Sequence, residues 1–340
     1  MRSSHHGRCQ LVFSLIIIIT TTNFYFYLPN MALLCSCLAY IGALFVTVVL
    51  YRVVNFVYVN LLASTDLKRR YAKAGDWAIV TGATEGIGYA MTMELARRGF
   101  NVCVIARTKS KLDEVVAEAE KKGVRGKAVT FDFAAADATE YKRLFAELDS
   151  LQVALLVNNV GVNYPYANFF DEAAEEDDMR MLKVNCEASL RMTRFVVPRM
   201  KAKRSGGIVM LASISAITPA PMLAAYAGTK AFSISFGQAL AYELKPFGID
   251  VLVATPSLVV SKMTQGVSTR KPKESFMMVN AAAMARQTLN KLGIVTRTTG
   301  HLNHALMELI TKNIPESWLA NYVLTLHKTV KKRAERQRPQ

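Results

Sequence analysis

Between Trp77 and Ala254, six short runs of β-branched and aliphatic residues alternate with longer amphipathic stretches, and nothing else restricts the fold of this chain as much. The runs cover residues 77–81, 101–106, 128–133, 153–158, 207–212 and 249–254. Helical patterns lie between them at 87–98, 110–122, 138–149, 175–203 and 224–245. Strands that read as near-continuous apolar runs are buried on both faces. Their alternation with helices predicts a parallel sheet covered on both sides. Right-handed crossovers make it a doubly wound α/β sheet, whose ligand belongs at the carboxyl ends of the strands.

The chain upstream is of another kind. Residues 11–63 carry a single charge, Arg52, in two apolar runs separated by Pro29-Asn30. The second run, 31–63, exceeds the ~20 residues that cross a bilayer. The first, 11–28, reads as a signal peptide or a second span. Met31 is an alternative initiator, in which case residues 1–30 are not native. Lys68, Arg69, Arg70 and Lys73 follow the second run and predict a soluble domain on the cytosolic side. The expected organisation is an anchor (1–65), a sheet domain (75–265), a substrate loop with C-terminal helices (266–325) and a basic tail (326–340).

Composition narrows the class. A hydrophobic share of 51% excludes disorder, and 20% charged residues exclude a bundle held wholly in lipid. The five cysteines form no CxxC pair and no Cys/His set with zinc spacing, so reduced thiols and no metal are expected. The chain also lacks an Asn-x-Ser/Thr sequon. The net charge of +16 suits a membrane surface, nucleic acid or phosphorylated ligands. Nucleic acid is disfavoured, because the basic residues are not interleaved with aromatics on one element.

After the first strand comes Thr81-Gly82-Ala83-Thr84-Glu85-Gly86-Ile87-Gly88 and then a helix. Glycines here allow a tight turn, close backbone approach to a pyrophosphate and close helix–strand packing. Gly82, Thr84, Gly86, Ile87 and Gly88 are the candidate dinucleotide contacts. The second strand ends at Ala106-Arg107 instead of the carboxylate that would bind a ribose 2′-hydroxyl. Arg107 suits a 2′-phosphate, and hence NADPH, or else is a solvated loop cation. Asp132 is placed to meet the adenine, or serves as a turn or helix cap.

Tyr226 and Lys230 stand four apart on one helix face, where an ammonium lowers a phenol pKa and readies it for proton transfer. The pair occurs with Ser213 at the end of the fifth strand, Asn158-Asn159-Val160-Gly161 at the end of the fourth, and Asn185 in the next helix. Each of these also has an ordinary reading, as a turn hydroxyl, a strand-end cap or a mid-helix amide.

Taken in order, TGxxxGIG, NNxG, Asn, Ser and YxxxK resemble the short-chain dehydrogenase/reductase family over residues 76–264. The resemblance implies a Rossmann-type fold with Tyr226 as proton donor, Lys230 as its neighbour and ribose ligand, and Ser213 as donor to the substrate carbonyl. It implies Asn185 as holder of a relay water and Asn158, Asn159, Val259 and Ser261 as further cofactor contacts. Gly75-Asp76-Trp77-Ala78, LVNNVG followed by Tyr164-Pro165, and Pro219-Ala220-Pro221 are similar to the membrane-bound 3-oxoacyl-CoA reductases and type 12 17-beta-hydroxysteroid dehydrogenases. In that group Pro256-Ser257 commonly replaces the usual Pro-Gly.

The closer resemblance implies an endoplasmic-reticulum membrane enzyme reducing a 3-oxoacyl-CoA with NADPH in very-long-chain fatty-acid elongation. A steroid dehydrogenase is the alternative, and an inactive scaffold the third reading. Other elongation enzymes and a homodimer are candidate partners. The basic tail does not end in a dilysine retrieval signal. Met263, Met277 and Met278 suit a flexible substrate pocket, a core stripe or a membrane-facing patch equally. His301 and His304 lack a third ligand and read as structural.

Overall fold

The computed structural model describes residues 33–261 and 273–336. The first apolar run, Met31, Cys9, Met263 and residues 337–340 of the basic tail lie outside these. The chain divides into two compact units, 1–58 and 59–340. Within the described residues the first is helical throughout and makes up most of the apolar helix α1 (Leu33–Leu62). Its 30 residues rise about 45 Å, more than the hydrocarbon thickness of a bilayer. By length and composition it is able to cross a membrane.

The second unit holds a seven-stranded sheet in the order β3-β2-β1-β4-β5-β6-β9, with every pairing parallel. The strands are β1 (Trp77–Thr81), β2 (Asn101–Ala106), β3 (Gly126–Thr130), β4 (Val153–Asn158), β5 (Gly206–Leu211), β6 (Ile249–Ala254) and β9 (Arg297–Thr298). Two short strands, β7 (Leu258–Val259) and β8 (Met278–Val279), pair separately. The helices are α2 (Leu67–Arg70), α3 (Gly86–Arg97), α4 (Lys109–Glu120), α5 (Ala138–Leu148), α6 (Glu175–Met181), α7 (Ala188–Lys203), α8 (Ala224–Leu244), α9 (Ala281–Asn290), α10 (Leu302–Thr311) and α11 (Glu316–Arg336).

The double winding follows from side-chain alternation along the strands. Ala78 and Val80 of β1 face a core shared with Met91 and Leu95 of α3, Leu112 of α4 and Met284 of α9. Ile79 between them faces the opposite core, with Leu144 of α5, Val196 of α7 and Leu244 of α8. Both faces are covered, so the sheet is apolar throughout, and the doubly wound α/β expectation holds. Helix ends are fixed by side chains where the sequence supplies them. Asp137 and Glu140 form a reciprocal capping box at the start of α5.

The third and fifth strands and one helix depart from the sequence expectation, the fifth strand by a single residue, Gly206–Leu211 in place of 207–212. The third strand occupies 126–130 rather than 128–133, because Phe131 and Phe133 leave the ladder to pack edge-on in an aromatic cluster with Tyr141. The single helix expected at 175–203 is broken by a π-turn, Leu182–Glu187. Beyond residue 265, α9 packs into the core against α3 and β9 extends the main sheet.

Candidate active site

The strand order reverses between β1 and β4, and the crevice outside their carboxyl ends is where such sheets bind ligands. Around it the glycine turn is drawn tight. Gly82 and Gly86 have φ of +65° and +57°, which glycine adopts without penalty. A Cβ on Gly88 would stand 2.2 Å from the Gly82 carbonyl oxygen, so α3 begins pressed against the end of β1. Thr84, Gly86 and Ile87 stay partly exposed at the helix N-terminus, where free backbone N–H groups favour an anion. This cradle fits a dinucleotide pyrophosphate.

Asn159 builds the turn from beneath. Its Nδ2 donates to the carbonyls of Thr81 and Gly82 at 2.9 and 3.0 Å. The Thr81 hydroxyl oxygen in turn accepts from the backbone N–H groups of Asn159 and Val160, each at 3.0 Å. Asn158 points the other way, buried, with Nδ2 donating to Thr193 Oγ1 on α7 at 2.9 Å. Neither asparagine side chain is thus displayed to the crevice through these bonds. Arg107 is exposed at the carboxyl end of β2. Asp132 is also exposed, two residues past β3, and its Oδ1 accepts from Ala134 N at 2.9 Å in a local turn.

Ser213 caps a short 3-10 turn after β5, and its Oγ accepts from Ser215 N at 3.2 Å. α8 carries Tyr226 to the same place. The buried phenol bonds to Ser213, which lowers its pKa, while burial raises it by more, so the net shift is upward. Lys230, one turn on, is buried and donates from Nζ to the Leu211 carbonyl at 2.9 Å. Burial depresses its pKa to about 8. Nζ lies 5.8 Å from the Tyr226 ring centroid. The expected lowering of the phenol by this ammonium therefore does not set the direction of the shift, because burial outweighs it.

The π-turn places Asn185 between the strand-end loop and α8. Its Oδ1 accepts from Val162 N at 2.8 Å, and its Nδ2 donates to Val162 O and Thr229 Oγ1. The Thr229 hydroxyl passes the connection on, donating to the Tyr226 carbonyl at 2.8 Å. Gly161 completes the fit, since a Cβ there would approach Lys230 Nζ to 3.2 Å. Four of the predicted residues, Asn185, Ser213, Tyr226 and Lys230, are thus joined through β4, β5 and α8.

Sequence reasoning missed Thr81 and Thr229, whose signal was their position inside the two motifs. It also missed what His304 does. His304 is buried with Nδ1 accepting from Ser257 N at 3.3 Å and Nε2 facing Leu258 O at 3.2 Å. It pins the Pro256-Ser257 segment that leads to Val259 and Ser261. Val259 is buried on β7, and Ser261 lies against Gly86.

A parallel sheet with a glycine turn at its switch point and a Ser–Tyr–Lys set beside it defines a nucleotide-dependent oxidoreductase, and the chain belongs to the short-chain dehydrogenase family, whose sequence profile matches residues 76–272. A very-long-chain 3-oxoacyl-CoA reductase of Danio rerio is 37% identical over 81% of this chain and 87% of its own length. Hydroxysteroid dehydrogenase-like protein 1 of Gallus gallus is 35% identical, over 77% of this chain and 79% of its own. Among solved structures, a short-chain dehydrogenase from Sphingobium yanoikuyae in complex with NADPH superposes with TM-score 0.57. It is 25% identical and covers 71% of this chain and 96% of that one.

Proposed function

We propose that the protein reduces a long-chain 3-oxoacyl-CoA to the 3-hydroxyacyl-CoA, using NADPH, at the endoplasmic-reticulum membrane with its second unit in the cytosol. The observation that carries the reading is the Ser213–Tyr226–Lys230 set, in a chain as similar to the zebrafish reductase as reported above. The bound reduced nicotinamide supplies the hydride. Ser213 and Tyr226 hold the ketone oxygen between two hydroxyls, and Tyr226 delivers its proton to that oxygen. The Lys230 ammonium stabilises the phenolate left behind. Asn185 and Thr229 keep the helix and the loop at Val162 in register around it. Gly82, Gly86 and Gly88 receive the pyrophosphate and Arg107 the 2′-phosphate. Asp132 stands at the adenine end, and Val259 and Ser261 at the nicotinamide end.

Removing Arg107 tests the cofactor half of this reading. Arg107→Ala weakens NADPH by roughly ten- to a hundredfold, the worth of a charge-assisted bond, and leaves NADH nearly unchanged. Cofactor fluorescence titration reads both affinities. Equal losses would assign Arg107 another role.

The chicken relative's name keeps a ketosteroid as the second reading. NADPH oxidation by the full-length protein separates the two. A long-chain 3-oxoacyl-CoA should give far the higher kcat/KM, and its rate should fall with salt, because screening weakens attraction between a basic protein and a multiply charged CoA. A neutral steroid shows no such dependence. Efficient ketosteroid reduction with no acyl-CoA turnover at any chain length would replace the first reading by the second.

A further inference from the structure

α11 has two apolar faces, and only one is used. Val330 is buried, and Leu319 and Val323 are half-buried. On the same side His327 Nδ1 donates to the Pro221 carbonyl at 2.6 Å, and Lys331 pairs with Glu172. These bonds fasten the helix to the segment before Tyr226 and to the 3-10 turn Phe170–Glu172. The outer side carries Trp318, Tyr322 and Leu326 at four-residue spacing, exposed by 71, 63 and 45%. Ile310, near the end of α10, and Ile314, in the turn that joins it to α11, are exposed as well, and Phe170 is exposed beside Glu172.

Single exposed apolar residues are ordinary, but three at one-turn spacing along one helix are not. Solvent does not account for it, and its composition selects an occupant. Two aromatic side chains with a polar edge stand where the stripe begins, and Lys328, Lys332, Arg333 and Arg336 follow it on the same helix. Against these cations α11 has only Glu316 and Glu335. Aromatic rings beside a cationic end are the pattern of helices that lie in the headgroup region of an anionic bilayer. A protein partner would be expected to offer acidic side chains instead. A bilayer is at hand for any chain that carries a helix able to cross one.

We propose that the outer face of α11 is a docking surface for an anionic lipid bilayer, with Trp318 and Tyr322 seated at headgroup level and the basic end of α11 on lipid phosphates. The surface is held to the segments beside Tyr226 by His327 and Lys331, so it sets the mouth of the active site at the lipid surface. It does not depend on which ketone is reduced.

The chain has two tryptophans, Trp77 and Trp318, which makes lipid contact directly readable. The full-length protein bearing Trp77→Phe is reconstituted in phosphatidylcholine–phosphatidylserine vesicles with acyl chains brominated at set depths. Trp318 emission should shift to the blue and lose most of its intensity to bromines near the headgroup, less to deeper ones, and little to aqueous iodide. Should Trp77→Phe fail to fold, the wild-type minus Trp318→Phe difference spectrum gives the same reading. Quenching by iodide and not by brominated lipid overturns the proposal. So does shielding from both quenchers with cross-linking between copies, which would make the stripe a self-interface. Quenching that is unchanged when phosphatidylserine is left out also overturns it, because the basic end would then have no lipid partner. Ketone reduction is assayed on the same vesicles, and its substrate preference stands or falls separately.

Discussion

Tyr226→Phe lowers kcat for ketone reduction about 100- to 10,000-fold, the usual worth of a positioned general acid, while cofactor affinity changes little. The ring is retained, so its packing against Tyr164 and Met181 is kept and only the hydroxyl is lost. That hydroxyl bonds to Ser213, which reaches it from the end of β5 on a separate turn. Without it the ketone oxygen has one donor in place of two and no proton source. Burial already holds the phenol above its usual pKa, so the wild-type hydroxyl is protonated at neutral pH and suited to the reductive direction. Single-turnover rates and cofactor titration on one preparation check both halves. A residual rate above a few per cent of wild type, or loss of cofactor binding, would remove Tyr226 from the proton-transfer step.

The sheet was legible because buried parallel strands leave long apolar runs, and four of the six predicted strands agree to the residue. Where the expectation slipped, side chains had reasons not visible in hydropathy. Phe131 and Phe133 alternate as a strand would, yet they pack on Tyr141 rather than on a neighbouring strand. Gly126 opens β3 because Val116 of α4 lies where its Cβ would be, 2.5 Å away, and a lone glycine in sequence reads as a turn. β7, β8 and β9 are two residues each, too short for any periodicity.

The site shows the same division. Motif spacing located Ser213, Tyr226 and Lys230, because a strand end and one helical turn fix their separation. It did not show that Asn185 sits in a π-turn, since the extra residue that makes such a turn leaves no mark in composition. Nor did it show that Asn159 spends its amide on the glycine turn, or that His304 holds the backbone after Pro256. Those two roles depend on contacts across more than forty residues of sequence, whereas the motif marks Asn159 as a cofactor contact and the spacing marks His304 only as structural.

Lys230→Met is expected to lower kcat by about two to three orders of magnitude and yet to raise stability at neutral pH. Methionine keeps the length and the apolar stem, so α8 packs as before. In the mechanism proposed above, catalysis suffers because the ammonium that would stabilise the Tyr226 phenolate is gone. Stability moves the other way because Lys230 is a buried charge with no carboxylate paired to it among the described residues. Burial depresses its pKa from 10.5 to about 8, so at neutral pH the unfolded chain holds the proton more tightly than the folded one. That difference disfavours folding by about 3 kcal/mol, against which the bond to Leu211 O contributes about 1–2 kcal/mol. Removing both should leave a net gain of roughly 1–2 kcal/mol. The sign fixes the pH behaviour. Wild-type stability rises with pH from about 8 to 10.5, as the folded state sheds this proton before the unfolded one does, and the variant lacks that component. The wild-type reduction rate should decline through the same lower limit near pH 8, as the ammonium deprotonates. Thermal melts of both proteins across that range, beside the wild-type rate profile, check the argument. A variant less stable than wild type at every pH would show that the Lys230 charge is compensated within the fold, and its effect on rate would then have to be read as structural damage.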